Sequence, residues 1–337
     1  MAISRFTLIV PQLLWPEPRD GKAFEQLRLP ALEGLLARGR LVRPPIRSFE
    51  ETLSSAFGLT GEAPLAALRL LGERTADKID GHWFCADPVH LKFHQERIVL
   101  ADAGAFALDA DEARALVAEL NREFADIGLI VAPHPERWYL RLAEVRDYLA
   151  PPLSAIAGRT LDGTWPQGAD APLLKRWLNE VQMFLHLHPV NQAREQAGQP
   201  MVNSLWLWGG SADNHATTHC DFTTVWSAQP LANGLARMAG LPCLPPEKAG
   251  ALRQQAGHHL VVLDQALTPA LYEDHAGWRT ALAGLEADWF APLAGCPLTL
   301  IAPTAYGLLT WQCAANDRLK FWRRPQTLGA LAQQLAQ

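Results

Sequence analysis

An α/β fold with a mostly parallel sheet is predicted by three features of the sequence. Short, nearly unbroken apolar runs at 5–10, 204–208, 259–263 and 298–301 have the length of strands covered on both faces. Helical patterns at 230–239 and 278–289 separate the later runs, the alternation that a crossover-connected parallel sheet produces. Hydrophobic residues make up 49% and charged residues 19% of 337 positions, enough to fill a large core and too apolar for a disordered chain.

In chain order, RFTLIV (5–10) is a buried strand closed by Pro11. Residues 23–39 carry Leu and Phe at helical spacing, with Gly39 as a stop, and 64–71 is a further helical segment. From about residue 81 the texture changes. Residues 98–100 read as a strand. Asp109 then caps a helix whose third position is Glu112, and Leu116, Val117, Leu120 and Phe124 form its apolar stripe. Residues 129–131 and 138–142 are strands, which makes this stretch a small α+β unit. Residues 151–172, rich in Pro, Gly and Asp, read as a linker, and an amphipathic helix comes next over 173–186. The expected organisation is a discontinuous core of 1–79 and 171–337 with an inserted α+β domain at 80–170. There is no internal repeat and no heptad run.

The net charge of −5 supplies no global basic field, so neither nucleic acid nor an anionic membrane is an expected partner. The N-terminal apolar run is too brief for a signal segment, and no stretch approaches the roughly 18 apolar residues of a membrane span. The cysteines Cys85, Cys220, Cys243, Cys296 and Cys313 are odd in number and never in a C-x-x-C pair. They read as small buried hydrophobes in a reducing cytoplasm. The 12 tryptophans are an excess whose placement should be informative.

The densest polar stretch is 186–221. His186 and His188 end a helix before Pro189, where a histidine suits the helix C-terminus. His215 and His219 are four apart, with Asp221 two beyond, the spacing that on a helix lets two histidines face one metal. The surrounding NHATTHCD has weak helix propensity, so loop histidines bonded to backbone are the plainer alternative, and no metal is assigned. LWLW runs into Gly209-Gly210-Ser211, either a phosphate-presenting turn or an ordinary tight one. Asp264 closes the strand HLVVLD, either as a site residue at a strand's carboxyl end or as a helix N-cap. The FWRR run at 321–324 reads as a stacking platform or a plain surface patch.

The segment HPVNQAREQAGQPMVNSLWLWGG (188–210) resembles the HPVN-x-x-R…G…N…G segment of the archaeal-type, cofactor-independent phosphoglycerate mutases of the alkaline phosphatase superfamily. Residues 29–39 and 230–242 resemble further segments of those mutases, and 110–142, with Arg137, resembles the domain they insert into the core. The chain as a whole resembles a proteobacterial family of Rpf-type regulatory proteins. The resemblance implies an alkaline-phosphatase-like core with an inserted domain. It also implies roles for Asn191, Arg194 and Asn203 in binding a phosphorylated or carboxylated metabolite, with a structural salt bridge as the alternative for Arg194; the turn at Gly209 and Gly210 and the strand-end Asp264 are further candidate ligand contacts.

The departures concern the chemistry. The mutases resemble two-metal phosphotransferases with a Ser nucleophile, and such a site needs carboxylates and histidines from both ends of the core. Where the family's first strand ends in a metal-binding Asp-Gly, this chain has Pro11-Gln12. The nucleophile segment corresponds to Ser48-Phe49-Glu50, and the C-terminal Asp-His-Ser-Thr-Pro becomes PTAYGLL (303–309). From 297 to 337 there is no histidine, no glutamate, and one acid, Asp317. Glu273-Asp274-His275-Ala276-Gly277 keeps an acid and a histidine of a further ligand motif.

Three functions stand as expectations. The first is a catalytically degenerate relative, without cofactor, acting as a regulatory or metabolite-binding protein. The second is an active mutase or phosphotransferase using His186, His188, His215, His219 and Asp221. The third is a protein-interaction module. If Trp206 and Trp208 face the cleft where the family holds its ions, the tryptophan excess would mark lost chemistry.

Overall fold

A computed structural model describes residues 4–59, 61–73, 80–94, 97–211 and 217–337. Contacts divide the chain into two units, 1–58 with 218–337 and 59–217. The strands, in chain order, are β1 (Arg5–Ile9), β2 (Arg40–Val42), β3 (His82–His94), β4 (Arg97–Ala101), β5 (Gly128–His134), β6 (Arg137–Leu142), β7 (Ser204–Trp208), β8 (Thr224–Trp226), β9 (Cys243–Leu244), β10 (His258–Val262), β11 (Leu298–Thr304) and β12 (Gly307–Cys313).

The first unit is the expected mixed α/β fold with a mostly parallel sheet. Its seven strands run in the order β2-β12-β11-β1-β10-β8-β9. The run from β11 to β9 is parallel, and β12 and β2 add an antiparallel edge. β1 lies at the centre, and Phe6, Thr7, Leu8 and Ile9 are all buried, as a parallel strand covered on both faces requires. Helices flank the sheet, each with a local reason to start. Pro30 and Pro230 occupy first-turn positions, Ser48 and Glu51 form a capping box, and Asp274 accepts from Gly277 N. The helix Pro30–Arg38 lacks a cap of its own. The Glu286 carboxylate supplies one from the far end of the sequence, accepting from Ala31 N at 2.6 Å and Leu32 N at 3.0 Å. Trp15, Trp226, Trp278, Trp289 and Trp311 are buried in this unit's core, and truncating one such ring to alanine costs about 3–5 kcal/mol.

The second unit is built on an antiparallel sheet. β3 pairs β6 and β7 through its first half and β4 through its second, and β5 pairs β6. The capping box at Asp109 and Glu112 starts the helix Ala110–Glu123 as predicted. Contacts therefore divide the chain at 58/59 and 217/218 rather than at the expected 79/80 and 170/171. The helix Ala171–Leu187 and β7 fall in the second unit, and β7 is antiparallel to β3 instead of a strand of the parallel sheet. The physical reason is that SLWLW is buried at every position, and an all-apolar run does not distinguish the two kinds of sheet. Residues 151–172 are likewise no free linker: Gly158 N donates to Leu100 O and Leu161 N to Ile98 O, which ties the segment along β4.

Among the described residues no helix is long and apolar enough to cross a membrane. None of the five cysteines is in a disulfide, and Cys85 is buried. Burial pushes the Cys313 thiol up to about 12.

Candidate functional site

In open α/β sheets ligands gather beyond the carboxyl ends of the strands. In the first unit that edge is formed by the residues just past β1, β10 and β11. After β1 the chain continues alongside β11, with Val10 N donating to Ile301 O at 2.9 Å and Gln12 N to Pro303 O at 2.8 Å. Gln12 has φ 54°, a left-handed conformation, which costs a non-glycine residue about 1–2 kcal/mol. The residue is 8% exposed, and Oε1 is buried without a hydrogen-bond partner. An unmet buried polar atom costs a further ~1–3 kcal/mol. Two unfavourable terms on one residue at a strand's carboxyl end are the usual mark of a functional position.

Aromatic rings hold this turn. The Trp278 indole N–H donates to Gln12 O at 2.9 Å. Trp278 meets Trp15 edge-on at 5.4 Å, and Trp15 stacks on His275 at 4.7 Å. The Tyr306 hydroxyl donates to Trp15 O at 2.7 Å, and burial raises its phenol to about 12. His275 Nε2 lies 2.5 Å from Asp20 Oδ2, and that hydrogen bond holds the Asp20 carboxyl below its usual range. Asp264 stands two residues past β10, with Oδ2 accepting from Gln229 Nε2.

The donor set at this edge does not fit a two-ion centre. Gln12 offers a neutral amide, His275 and Asp20 are bonded to each other, and Asp264 is held by Gln229. The PTAYG segment is a tight hairpin in which Thr304 Oγ1 donates to Gly307 O and accepts from Tyr306 N. Ser48 Oγ accepts from Glu51 N at 3.1 Å as a helix cap, and Phe49 is the buried first residue of that helix. Among the described residues no three His, Cys, Asp or Glu side chains are placed to hold one metal ion.

The residues singled out from the sequence are dispersed. His186 is exposed in the last turn of its helix. His188 joins two helices: its Nδ1 accepts from Val190 N at 3.2 Å, and Nε2 is 3.2 Å from Glu119 without hydrogen-bond alignment. Asn191 is 0% exposed and spends its amide on Leu185 O, Val202 O and Val202 N at 2.7–2.9 Å. Arg194 donates to Pro200 O, Glu112 and Ala107 O. Asn203 exchanges both amide bonds with the Leu91 backbone. Gly209, at φ 71°, accepts through its carbonyl from Ala66 N, and a Cβ on Gly210 would stand 2.2 Å from the Phe84 ring. The motif that carries the resemblance thus holds the second unit together.

His219 is exposed, and its N–H donates to Phe57 O. Asp221 bonds His258 Nδ1 at 3.0 Å and Arg5 at 3.5 Å. Those partners begin β10 and β1, so Asp221 sits at the end of the sheet opposite the carboxyl edge. His215 lies outside the described residues. Of the predicted residues in the described chain, Asp264 is the one at the carboxyl edge. Trp206 and Trp208 are buried in the antiparallel sheet of the second unit, bonded to Pro151 O and to Asp87. The tryptophans that pack at the Gln12 turn are Trp15 and Trp278. The sequence did not announce the strain at Gln12, because nothing in its residue type signals a left-handed backbone. The available signal was a polar residue directly after an apolar strand and its Pro11.

No family model matches the chain. The chain is 27% identical over 201 residues to the 2,3-bisphosphoglycerate-independent phosphoglycerate mutase of Methanosarcina mazei, covering 54% of this chain and 48% of that protein. It is 27% identical over 234 residues to the corresponding protein of Methanosarcina acetivorans, covering 64% and 57%. Against the probable 2,3-bisphosphoglycerate-independent phosphoglycerate mutase of Geobacter sulfurreducens it is 35% identical over 98 residues, 28% of this chain and 25% of that one. The chain thus spans about half, or less, of the length of the curated relatives it matches. Its fold is shared with the PH0037 protein of Pyrococcus horikoshii, at a TM-score of 0.53 and 13% identity over 98% of this chain and 93% of that one. By sequence, the chain is related to the 2,3-bisphosphoglycerate-independent phosphoglycerate mutases.

Proposed function

We propose that the protein is a catalytically degenerate relative of these mutases, of the Rpf-type regulatory kind, that binds a metabolite without transforming it. The observation that carries this reading is Gln12. A neutral amide follows the central strand where a two-metal phosphotransferase needs a carboxylate, and its oxygen is kept buried and unmet. Further support comes from the aromatic packing of Trp15 and Trp278 around that turn, from Ser48 acting as a helix cap, and from the hairpin at 303–307. In this reading Gln12 and Asp264, off neighbouring parallel strands, are the ligand contacts, and Gln12 Oε1 is the acceptor for a ligand hydroxyl. The aromatic rings take the space that ions would need. The metabolite is of the phosphorylated or carboxylated class that the mutases' names imply.

The test is elemental analysis of natively purified protein, together with a coupled mutase assay and melting curves in 3-phosphoglycerate. The proposal expects no stoichiometric metal, no turnover with or without added Mn²⁺, and a melting temperature raised by 3-phosphoglycerate. Two equivalents of metal with turnover would overturn it.

A further inference from the structure

We infer that the exposed side of the helix Ala171–Leu187 is the contact face for a second copy of this chain, and that the two helices meet antiparallel. The helix has 17 residues and is about 25 Å long. Its buried stripe, Leu174, Trp177, Val181 and Leu185, packs into the second unit. A second stripe runs beside it at Leu173, Arg176, Glu180, Met183 and Leu187. Its steps of three, four, three and four residues keep it on one side of the helix. All five residues are exposed, Met183 at 66% and Leu187 at 70%. Bulky apolar side chains repeated at helical spacing on an open surface mark a contact with another protein.

The order of residues along this stripe is self-complementary, which selects a copy of the chain over an unrelated protein. Two such helices can run antiparallel about a twofold axis centred between Arg176 and Glu180. Leu173 of each then faces Met183 of the other and Arg176 faces Glu180, and each contact occurs twice. Leu187 reaches the turn at Ala169 that leads into the other helix. Sliding by about one turn either way sets Glu180 against Glu180 or Arg176 against Arg176, and a parallel in-register pair makes both clashes at once. Both charges are available, since among the described residues neither Arg176 nor Glu180 forms an ion pair or a side-chain hydrogen bond. Exposed pairs of this kind add little affinity. They fix the register, while the apolar ends of the stripe supply the attraction. A seam one helix wide is smaller than a standard interface, so self-association of micromolar strength is expected.

This face is independent of the degenerate-mutase reading, and its test reads mass rather than ligand binding. Sedimentation equilibrium of the full chain at low salt, over about 1–200 µM, should show a monomer–dimer equilibrium. Met183→Glu should weaken dimerisation about tenfold or more. Arg176→Glu and Glu180→Arg, each alone, put like charges in both copies of the pair and should each weaken it about fivefold. An equimolar mixture of those two variants should regain wild-type association, because every crossed pair is again opposite in sign. That recovery is specific to the antiparallel register. Arg114→Glu, the same charge change on the exposed side of the helix Ala110–Glu123, should leave dimerisation unchanged. All the substituted residues are exposed, so the fold should survive, as circular dichroism would verify. A wild type that stays monomeric over the whole range, dimerisation untouched by Met183→Glu, or a mixture that associates no better than its components would overturn the inference.

Discussion

Two buried side-chain amides, Asn191 in the second unit and Gln12 in the first, stand in opposite circumstances. Asn191 meets three backbone groups and joins the end of one helix to the approach of β7. Gln12 is almost as buried, sits on a left-handed backbone, and leaves its carbonyl oxygen unmet. The second unit also holds a fully bonded charged network. In the second unit, Arg69 forms two bonds to Asp87 at 2.7 and 2.9 Å, Trp208 and the Trp138 backbone add to that carboxylate, and Arg69 also faces the Tyr139 ring. Close by, Arg137 and Tyr139 converge on Glu73. A network satisfied at every member is framework. A buried polar group left unmet, on a strained residue at a strand's carboxyl end, is what a ligand contact looks like before its ligand arrives.

The largest test of this contrast is Arg69→Met, which leaves Asp87 charged and buried and should cost about 3–5 kcal/mol in urea unfolding. A cost under 1 kcal/mol would mean the network is not framework. Next is Asn191→Leu. It strands Val202 N, Val202 O and Leu185 O together, so a loss of about 3 kcal/mol is expected in the same experiment. Gln12→Met, a matched amide-to-apolar exchange, should have the opposite sign and a smaller size, a gain of about 1–2 kcal/mol, because it removes an unmet buried oxygen and keeps the volume.

The smallest effect concerns pH, and here the two units should agree. Burial holds His258 below its ordinary value of 6.5 despite Asp221, and burial aided by Arg137 does the same for His134. A histidine held low is neutral when folded and takes up a proton on unfolding. Its stability contribution is therefore complete above about pH 6.5 and declines as pH falls from there towards the folded value. Melting temperature should drop between pH 7.5 and pH 5.5, and His258→Gln or His134→Gln should each shrink that drop. An unchanged drop in both variants would remove these histidines from the explanation.

Much of the framework was legible in the sequence, and much of the candidate site was not. β1 declared itself through RFTLIV, and Asp109 with Glu112 marked a helix start that the structure places at that residue. That Glu112 also takes Arg194, 82 positions away, depends on tertiary folding that no local pattern encodes. β3 escaped notice because Asp87 and Pro88 interrupt its apolar pattern, and Asp87 is tolerated there only through Arg69 from another element. The 188–210 motif pointed correctly to a relationship. Its side chains nevertheless proved to be latches, since a single sequence cannot separate a polar residue that binds the backbone from one that binds a ligand. Gln12 was visible as a departure from a ligand pattern, while its strain and unmet oxygen came from the fold.

The most direct test of the central claim, that Gln12 is kept for a ligand rather than for stability, is the urea unfolding free energy of Gln12→Met against the wild type in the absence of any metabolite. The account predicts a variant at least as stable as the wild type, with a gain of about 1–2 kcal/mol. A loss of 1 kcal/mol or more would contradict it, because Gln12 would then be framework in the same sense as Asn191.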